Sequence, residues 1–200
     1  KPDQWSRMGT HETTGPMTLE TILQRQALAN DEAHLAQIER IKTRWSILGA
    51  LRGTPTILAK LFRDVPDEIL RRKPAPEKWS MLEIACHLRD VEAFFVERYG
   101  KIANHDRPPL RPIAQDALAA TLRYNEDDPA RVLKEFQSYR AESLAVLGAL
   151  APHSWERGGV HPTRGIVTMA WTAEHAVEHD ANHLAQVRAL RERFLGSVPR

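Results

Sequence analysis

WSMLEIACHLRDVEAFFVERYG, residues 79–100, begins with a helix start written into the sequence. Ser80-Met81-Leu82-Glu83 is a capping box: the Ser80 side chain takes a first-turn N–H, and Glu83 reaches back to the N–H of Ser80. Behind it Leu82, Ala85/Cys86, Leu88/Arg89, Glu92, Phe95 and Tyr99 recur at threes and fours, the spacing of one helix face. The helix is expected to run towards residue 103, and the proline-rich HDRPPLRP (105–112) ends it.

The same period extends in both directions. Leu19, Ile22, Leu23, Ala27, Leu35, Ile38, Ile41 and Trp45 suggest a helix over about 18–43. Thr54-Pro55 marks a break or a fresh start, because proline fits a first helical turn. Ile57, Leu58, Leu61 and Phe62 follow as a short apolar face. VPDEILRRKPAPEK (65–78) carries three prolines and reads as an irregular connection. Residues 113–128 read as a long loop with a short helical piece. Asp128-Pro129 starts another helix, with Val132, Leu133, Phe136, Tyr139, Leu144, Leu147 and Leu150 on its core side until Pro152. GGVHPTRG (158–165) reads as a turn-rich loop, and a last helix is expected from about 165 to 195. No stretch alternates convincingly as a strand. The expected fold is all-α: a four-helix bundle, up-down with long connections, plus an N-terminal extra helix. In domain terms, 1–16 is expected to be a flexible segment, 17–44 a helical extension and 45–200 the bundle.

Composition agrees with a globular chain. Of 200 residues, 42% are hydrophobic and 27% charged, enough for a full core. The net charge of +2 balances 28 basic against 26 acidic residues, and no Lys/Arg run offers a nucleic-acid footprint. No apolar run approaches the roughly 20 residues that span a membrane. The lone Cys86 excludes an internal disulfide and suits a reducing cytoplasm. KPDQWSRMGTHETTGP lacks an apolar signal-peptide centre; with Lys1 in place of Met, the chain reads as a fragment or a processed product.

EHAVEHDANHLAQV (174–187) sets His175, His179 and His183 at a constant spacing of four. On a helix, two such neighbours can reach one ion. Three cannot do so easily, since His175 and His183 lie roughly 12 Å apart along the axis. A metal must take one neighbouring pair and find its third ligand elsewhere. His87, mid-helix, fits; His161, in the 158–165 loop, is a further candidate. The bland alternative is a row of half-buried, hydrogen-bonded histidines. His175, Glu178 and His179 also spell H-x-x-E-H, but that protease class needs a downstream acidic ligand. Only Glu192 follows, inside an R-E-R cluster, and the protease reading is set aside.

APEKWSMLEIACHLRDVE, followed much later by HPTRGIVTMAWTAEHAVEHDANHLAQV, resembles the DinB-like proteins, the superfamily that includes the bacterial DNA-damage-inducible DinB protein. TPTILAKLFRDVPDEILRRKPAPEKWS matches too, so the resemblance covers roughly 46–195. It implies a four-helix bundle with a divalent metal, zinc or nickel, on His87, His179 and His183. His175 would line the pocket or back a ligand. It also implies thiol-dependent S-transfer with bacillithiol, mycothiol or glutathione, or metal-dependent hydrolysis, on a small-molecule substrate. A homodimer is the expected assembly, and a non-catalytic metal-binding stress-response protein is the alternative outside the enzymes.

Supporting residues carry two readings each. Asp90, one turn from His87, would orient an imidazole or stand as an exposed charge. Gln186 would hydrogen-bond near the pocket or close the bundle end. Arg164 would meet an anionic substrate or face solvent. Asp180 reads as a surface or inter-helix residue, Cys86 as a buried small one, Glu83 as the partner of Ser80, and Trp79 and Trp171 as core.

Overall fold

The structure, a computed structural model, describes residues 19–112 and 122–196, with side chains from residue 40 onwards except at 41. The expectation for 1–16, and most of that for the 113–128 loop, lie outside the described residues. The chain divides into two compact units, 1–40 and 41–200.

Among the described residues four long helices carry the fold: α1 (Leu19–Phe62), α3 (Met81–Asn104), α4 (Pro129–Ala149) and α5 (Met169–Leu195), with a short α2 (Asp67–Leu70). The capping box forms as read. Glu83 N donates to Ser80 Oγ at 3.1 Å, and Ser80 N donates to Glu83 Oε2 at 2.8 Å. α4 also begins where expected, with Asp128 accepting from Ala130 N at 3.0 Å and Pro129 in the first turn.

Three expectations are corrected. First, α1 runs through Pro55, so the N-terminal helix over 18–43 and the segment after 55 form one element. Proline at 55 removes the N–H that would bond the Leu51 carbonyl. That carbonyl instead accepts from Arg140 Nη1 of α4 at 2.9 Å, so the gap in the ladder is filled from another helix. Second, the 65–78 connection contains α2, whose first turn is acidic. Third, residues 158–168 form a hairpin, β1 (Gly158–His161) against β2 (Gly165–Thr168), with Gly158 opposite Thr168 and His161 opposite Gly165. The last helix therefore starts at Met169, capped by Thr168. Gly165 turns the hairpin with φ +72°. Leu110 N donates to Val160 O at 2.9 Å and Val160 N to Pro108 O at 2.8 Å, tying the hairpin to the segment after α3. At Gly159 a Cβ would meet the Leu110 side chain at 2.8 Å, so a larger residue would force that buried side chain to shift.

The core has two apolar blocks. One holds Leu58, Phe62, Met81, Leu82, Leu88, Phe136 and Leu190. The other holds Leu48, Leu51, Phe95, Tyr99, Leu147, Met169 and Ala176. Near the junction of the two blocks every long helix buries polar residues: Thr54 on α1, His87, Arg89 and Glu92 on α3, Arg140 and Ser143 on α4, Asp180 on α5. This buried polar belt crosses the middle of the bundle. Among the described residues no helix is long and apolar enough to cross a membrane.

Candidate metal centre

Two helices build the histidine cluster. α3 brings His87, which is 1% exposed, and α5 brings the half-buried His179 and His183, one turn apart. His87 Nε2 lies 2.9 Å from His179 Nε2. The ring centroids of His87 and His183 are 4.7 Å apart, and those of His179 and His183 4.5 Å. One nitrogen from each of the three rings lies within 4.8 Å of the others. The geometry thus brings together His87, His179 and His183, and leaves His175 outside.

Burial pushes all three imidazoles below the ordinary histidine value of 6.5: His87 to about 4, His179 to about 3, and His183 in the same direction. Mutual repulsion among the rings adds to burial at His87 and His179. Neutral rings have lone pairs to give, the form in which histidine ligates a metal. Gln186 Oε1, 2.9 Å away, accepts from His183 Nδ1–H, leaving His183 Nε2 as the lone-pair atom. The donor set and spacing therefore fit a divalent ion.

The lowered values also set a pH dependence for the metal-free protein. In the unfolded chain these histidines protonate near 6.5; in the folded chain they resist. The unfolded state thus binds more protons as pH falls, and stability present above about 6.5 is lost towards pH 4. His87 alone accounts for about 2 kcal/mol between pH 7 and pH 5. Urea midpoints at the two pH values, with chelator present, are expected to show this fall. A flat profile would mean that the imidazoles are not held neutral.

Trp79 contacts the cluster, its ring centroid 4.8 Å from His87 and 6.2 Å from His183. It packs against the core as expected, and it also lines a cavity of ≈ 740 Å³ with Ile84, His183, Gln186, Leu190 and Arg193. His175 stacks on Trp171, with centroids 5.0 Å apart and planes 12° from parallel. Arg164 lies over the other ring system of this stack, 5.4 Å from the Trp171 centroid. His161 sits in the hairpin, where Thr163 N donates to its Nδ1 at 3.3 Å, away from the cluster.

Asp90 takes neither reading made from the sequence. It accepts from Arg89 Nε at 2.7 Å and from Tyr124 OH at 2.6 Å, so its carboxylate anchors the segment before α4 rather than an imidazole. Asp180 is an inter-helix residue, accepting from Arg140 Nη1 at 2.7 Å and Thr54 Oγ1 at 2.8 Å. Cys86 is buried, and burial raises its thiol to about 12, which makes it inert. Glu178 and Glu192 are exposed.

Sequence reasoning missed Arg140. Its guanidinium reaches Glu92 on α3 at 2.8 Å, Asp180 on α5 at 2.7 Å and Leu51 O on α1. Ser143 completes the group by donating to Glu92. A signal was present: Val132, Phe136, Arg140, Ser143 and Leu147 fall on one buried face of α4, two polar residues in an apolar register.

A family profile described as the DinB superfamily matches residues 50–187, a span that includes all three clustered histidines. The uncharacterized protein YuaE of Bacillus subtilis (strain 168) is 24% identical over 146 residues, 66% of this chain and 90% of that protein. Among solved structures, YfiT from Bacillus subtilis superimposes with a TM-score of 0.72 at 22% identity, over 78% of this chain and 89% of that one. YfiT is described as a "probable metal-dependent hydrolase with an unusual four-helix bundle topology". At this identity the likeness establishes the shared four-helix bundle.

Proposed function

The chain belongs to the DinB superfamily, and from that premise we propose that it is a metal-dependent enzyme whose His87, His179 and His183 activate a low-molecular-weight thiol for transfer to an electrophilic small molecule. The observation that carries this reading is the convergence of three neutral imidazoles from two helices, with ligand nitrogens within 4.8 Å. Three protein ligands leave positions open on an ion, as catalytic sites do. The chemistry that zinc or nickel supplies when bound is Lewis acidity, which lowers the pKa of a thiol or water brought to it.

The chain's own residues do the rest. Gln186 fixes the tautomer of His183, and Trp79 packs against the His87 and His183 rings. The adjoining cavity gives room for the apolar body of the electrophile. In the transfer the thiol gives up its proton, its sulfur bonds the substrate carbon, and the leaving group departs with the electron pair and a proton. Two acidic side chains that act electrostatically on the cluster are engaged elsewhere: Asp90 by Arg89 and Tyr124, Asp180 by Arg140 and Thr54. With these carboxylates engaged, deprotonation of the nucleophile would depend on the ion's Lewis acidity, and a thiol, far more acidic than water, would reach its anion more readily. The description of YfiT supports a second reading, hydrolysis. Bacillithiol, mycothiol or glutathione as the thiol, a homodimer in the cytoplasm, and 17–44 as an extension outside the catalytic bundle complete the proposal.

Zinc- or nickel-loaded protein screened with each thiol and 1-chloro-2,4-dinitrobenzene is expected to turn over with one of them, and His183→Ala to abolish that turnover. Cleavage of esters or amides without any thiol moves the assignment to hydrolysis. Metal retained with neither activity leaves a non-catalytic metal-binding protein.

A further inference from the structure

The histidine cluster has two flanks along α5. On the side of Gln186, Leu190 and Arg193 lies the apolar cavity. On the side of His175 and Trp171 the surroundings are basic, and we infer that Arg98, His161, Arg164 and His175 together form a carboxylate-binding site beside the metal centre. As a statement about the substrate it rests on the enzymatic reading above; as a statement about binding it stands on the side chains themselves.

Ring contacts tie this flank to the centre. Phe95 lies 6.4 Å from His179 and 6.5 Å from His175, and His175 stacks on Trp171, over which Arg164 is placed. The four basic groups come from α3, β1, the hairpin turn and α5. Arg98 donates to the Arg111 carbonyl, and the adjoining Leu110 is hydrogen-bonded to Val160 beside His161, so the α3 guanidinium and the hairpin meet at one segment; Arg98 and Arg164 both act on His161 and on His175. The acidic groups facing them are few. Glu178, exposed on α5, acts on His175, and Glu97 acts on Arg98 but is held by Arg111 and Lys101.

Arg98 is the decisive residue. Three arginines are buried among the described residues. Arg89 is matched by Asp90, Asp127 and Glu135, and Arg140 by Glu92 and Asp180. Arg98, 8% exposed, has no carboxylate within ion-pair distance among the described residues; its Nη2 donates to the Arg111 carbonyl at 2.8 Å, and its buried Nε has no acceptor. A buried guanidinium without a counter-ion is unfavourable unless an anion completes it. Arg164, placed over the Trp171 indole, makes no hydrogen bond to a described residue. A planar fork of donors takes a carboxylate in two parallel hydrogen bonds, and the neighbouring Trp171–His175 stack favours an anion that carries an organic body over an inorganic one. The ligand class is therefore an organic carboxylate, borne either by the electrophile or by the thiol.

The test needs neither metal nor turnover. Chelator-treated full-length protein is titrated by calorimetry with phenylacetate and with phenylacetamide, its uncharged isostere. The acid is expected to bind at least about ten-fold more tightly. Arg164→Gln, at an exposed position, and Arg98→Met, with its fold checked by circular dichroism, are each expected to erase that preference, while Arg188→Gln on the exposed face of α5 keeps it. Equal binding of acid and amide, or a preference that survives Arg164→Gln, overturns the site. Inorganic phosphate binding more tightly than phenylacetate overturns the carboxylate assignment. Because no thiol is present, these outcomes are independent of whether the transferase reading holds.

Discussion

His179→Ala is expected to leave the protein without stoichiometric divalent metal after gel filtration, whereas His175→Ala retains it. The two residues sit one turn apart on α5, so a loss caused by general damage to the helix would strike both. Their surroundings differ. His179 Nε2 is 2.9 Å from His87 Nε2, while His175 is stacked on Trp171 and belongs to no three-nitrogen group among the described residues. Protein zinc sites bind with roughly 10–16 kcal/mol, so one ligand of three or four carries about 3–4 kcal/mol. Its loss weakens binding about several hundred-fold. His87→Ala and His183→Ala are expected to act alike, because each supplies one of the three nitrogens. Elemental analysis, with the metal-induced rise in Tm as a second readout, decides the matter. Full metal occupancy in His179→Ala would refute the centre.

What could be read from the sequence was what depends on near neighbours along the chain. The capping box at Ser80 and Glu83 and the Asp128-Pro129 start are written within four residues, and both helices begin there. The choice between histidine pairs was less accessible. Helix geometry excluded three ligands from one row, yet the partner on the facing helix is 92 residues from His179; its mid-helix position made His87 a candidate beside His161, and the family resemblance selected it. Pro55 misled for the same reason. A proline ends a helix unless the freed carbonyl finds another donor, and the donor is Arg140, 89 residues further on. The hairpin escaped notice because each strand has four residues and two of those in β1 are glycine; its register is fixed by the turn at Gly165 and by pairing with Pro108 and Leu110. Trp79 reads as core and packs there, but its contact with the cluster depends on how α3 and α5 pack.

Arg140→Met is expected to lower stability by about 3–5 kcal/mol, the range for removing one partner of a buried ion network. The size of the loss follows from what is left behind. Glu92 and Asp180, 2% and 3% exposed, lose their common cation and face each other as like charges. The Leu51 carbonyl, already deprived of a helical partner by Pro55, loses its only substitute among the described residues. Because the guanidinium contacts α1, α3 and α5 from its seat on α4, all four long helices lose a shared anchor. The pH dependence separates this from a simple packing defect. Burial already raises the Glu92 carboxyl above its ordinary value, against the opposing pull of Arg140 and Ser143. Without Arg140 it rises further, so the folded variant takes up a proton more readily than the unfolded chain. The added penalty is greatest at neutral pH and shrinks as pH falls through the raised carboxyl value. Urea midpoints of variant and parent, compared at pH 7 and pH 5, are expected to converge at the lower pH, since the histidine contribution is common to both. Arg140→Met combined with Glu92→Gln and Asp180→Asn, which removes the charges while keeping the shapes, is expected to recover part of the loss. A penalty that stays constant with pH and is not relieved in the triple variant would assign the effect to lost packing against Phe136, whose ring lies 5.1 Å from the guanidinium, rather than to charge.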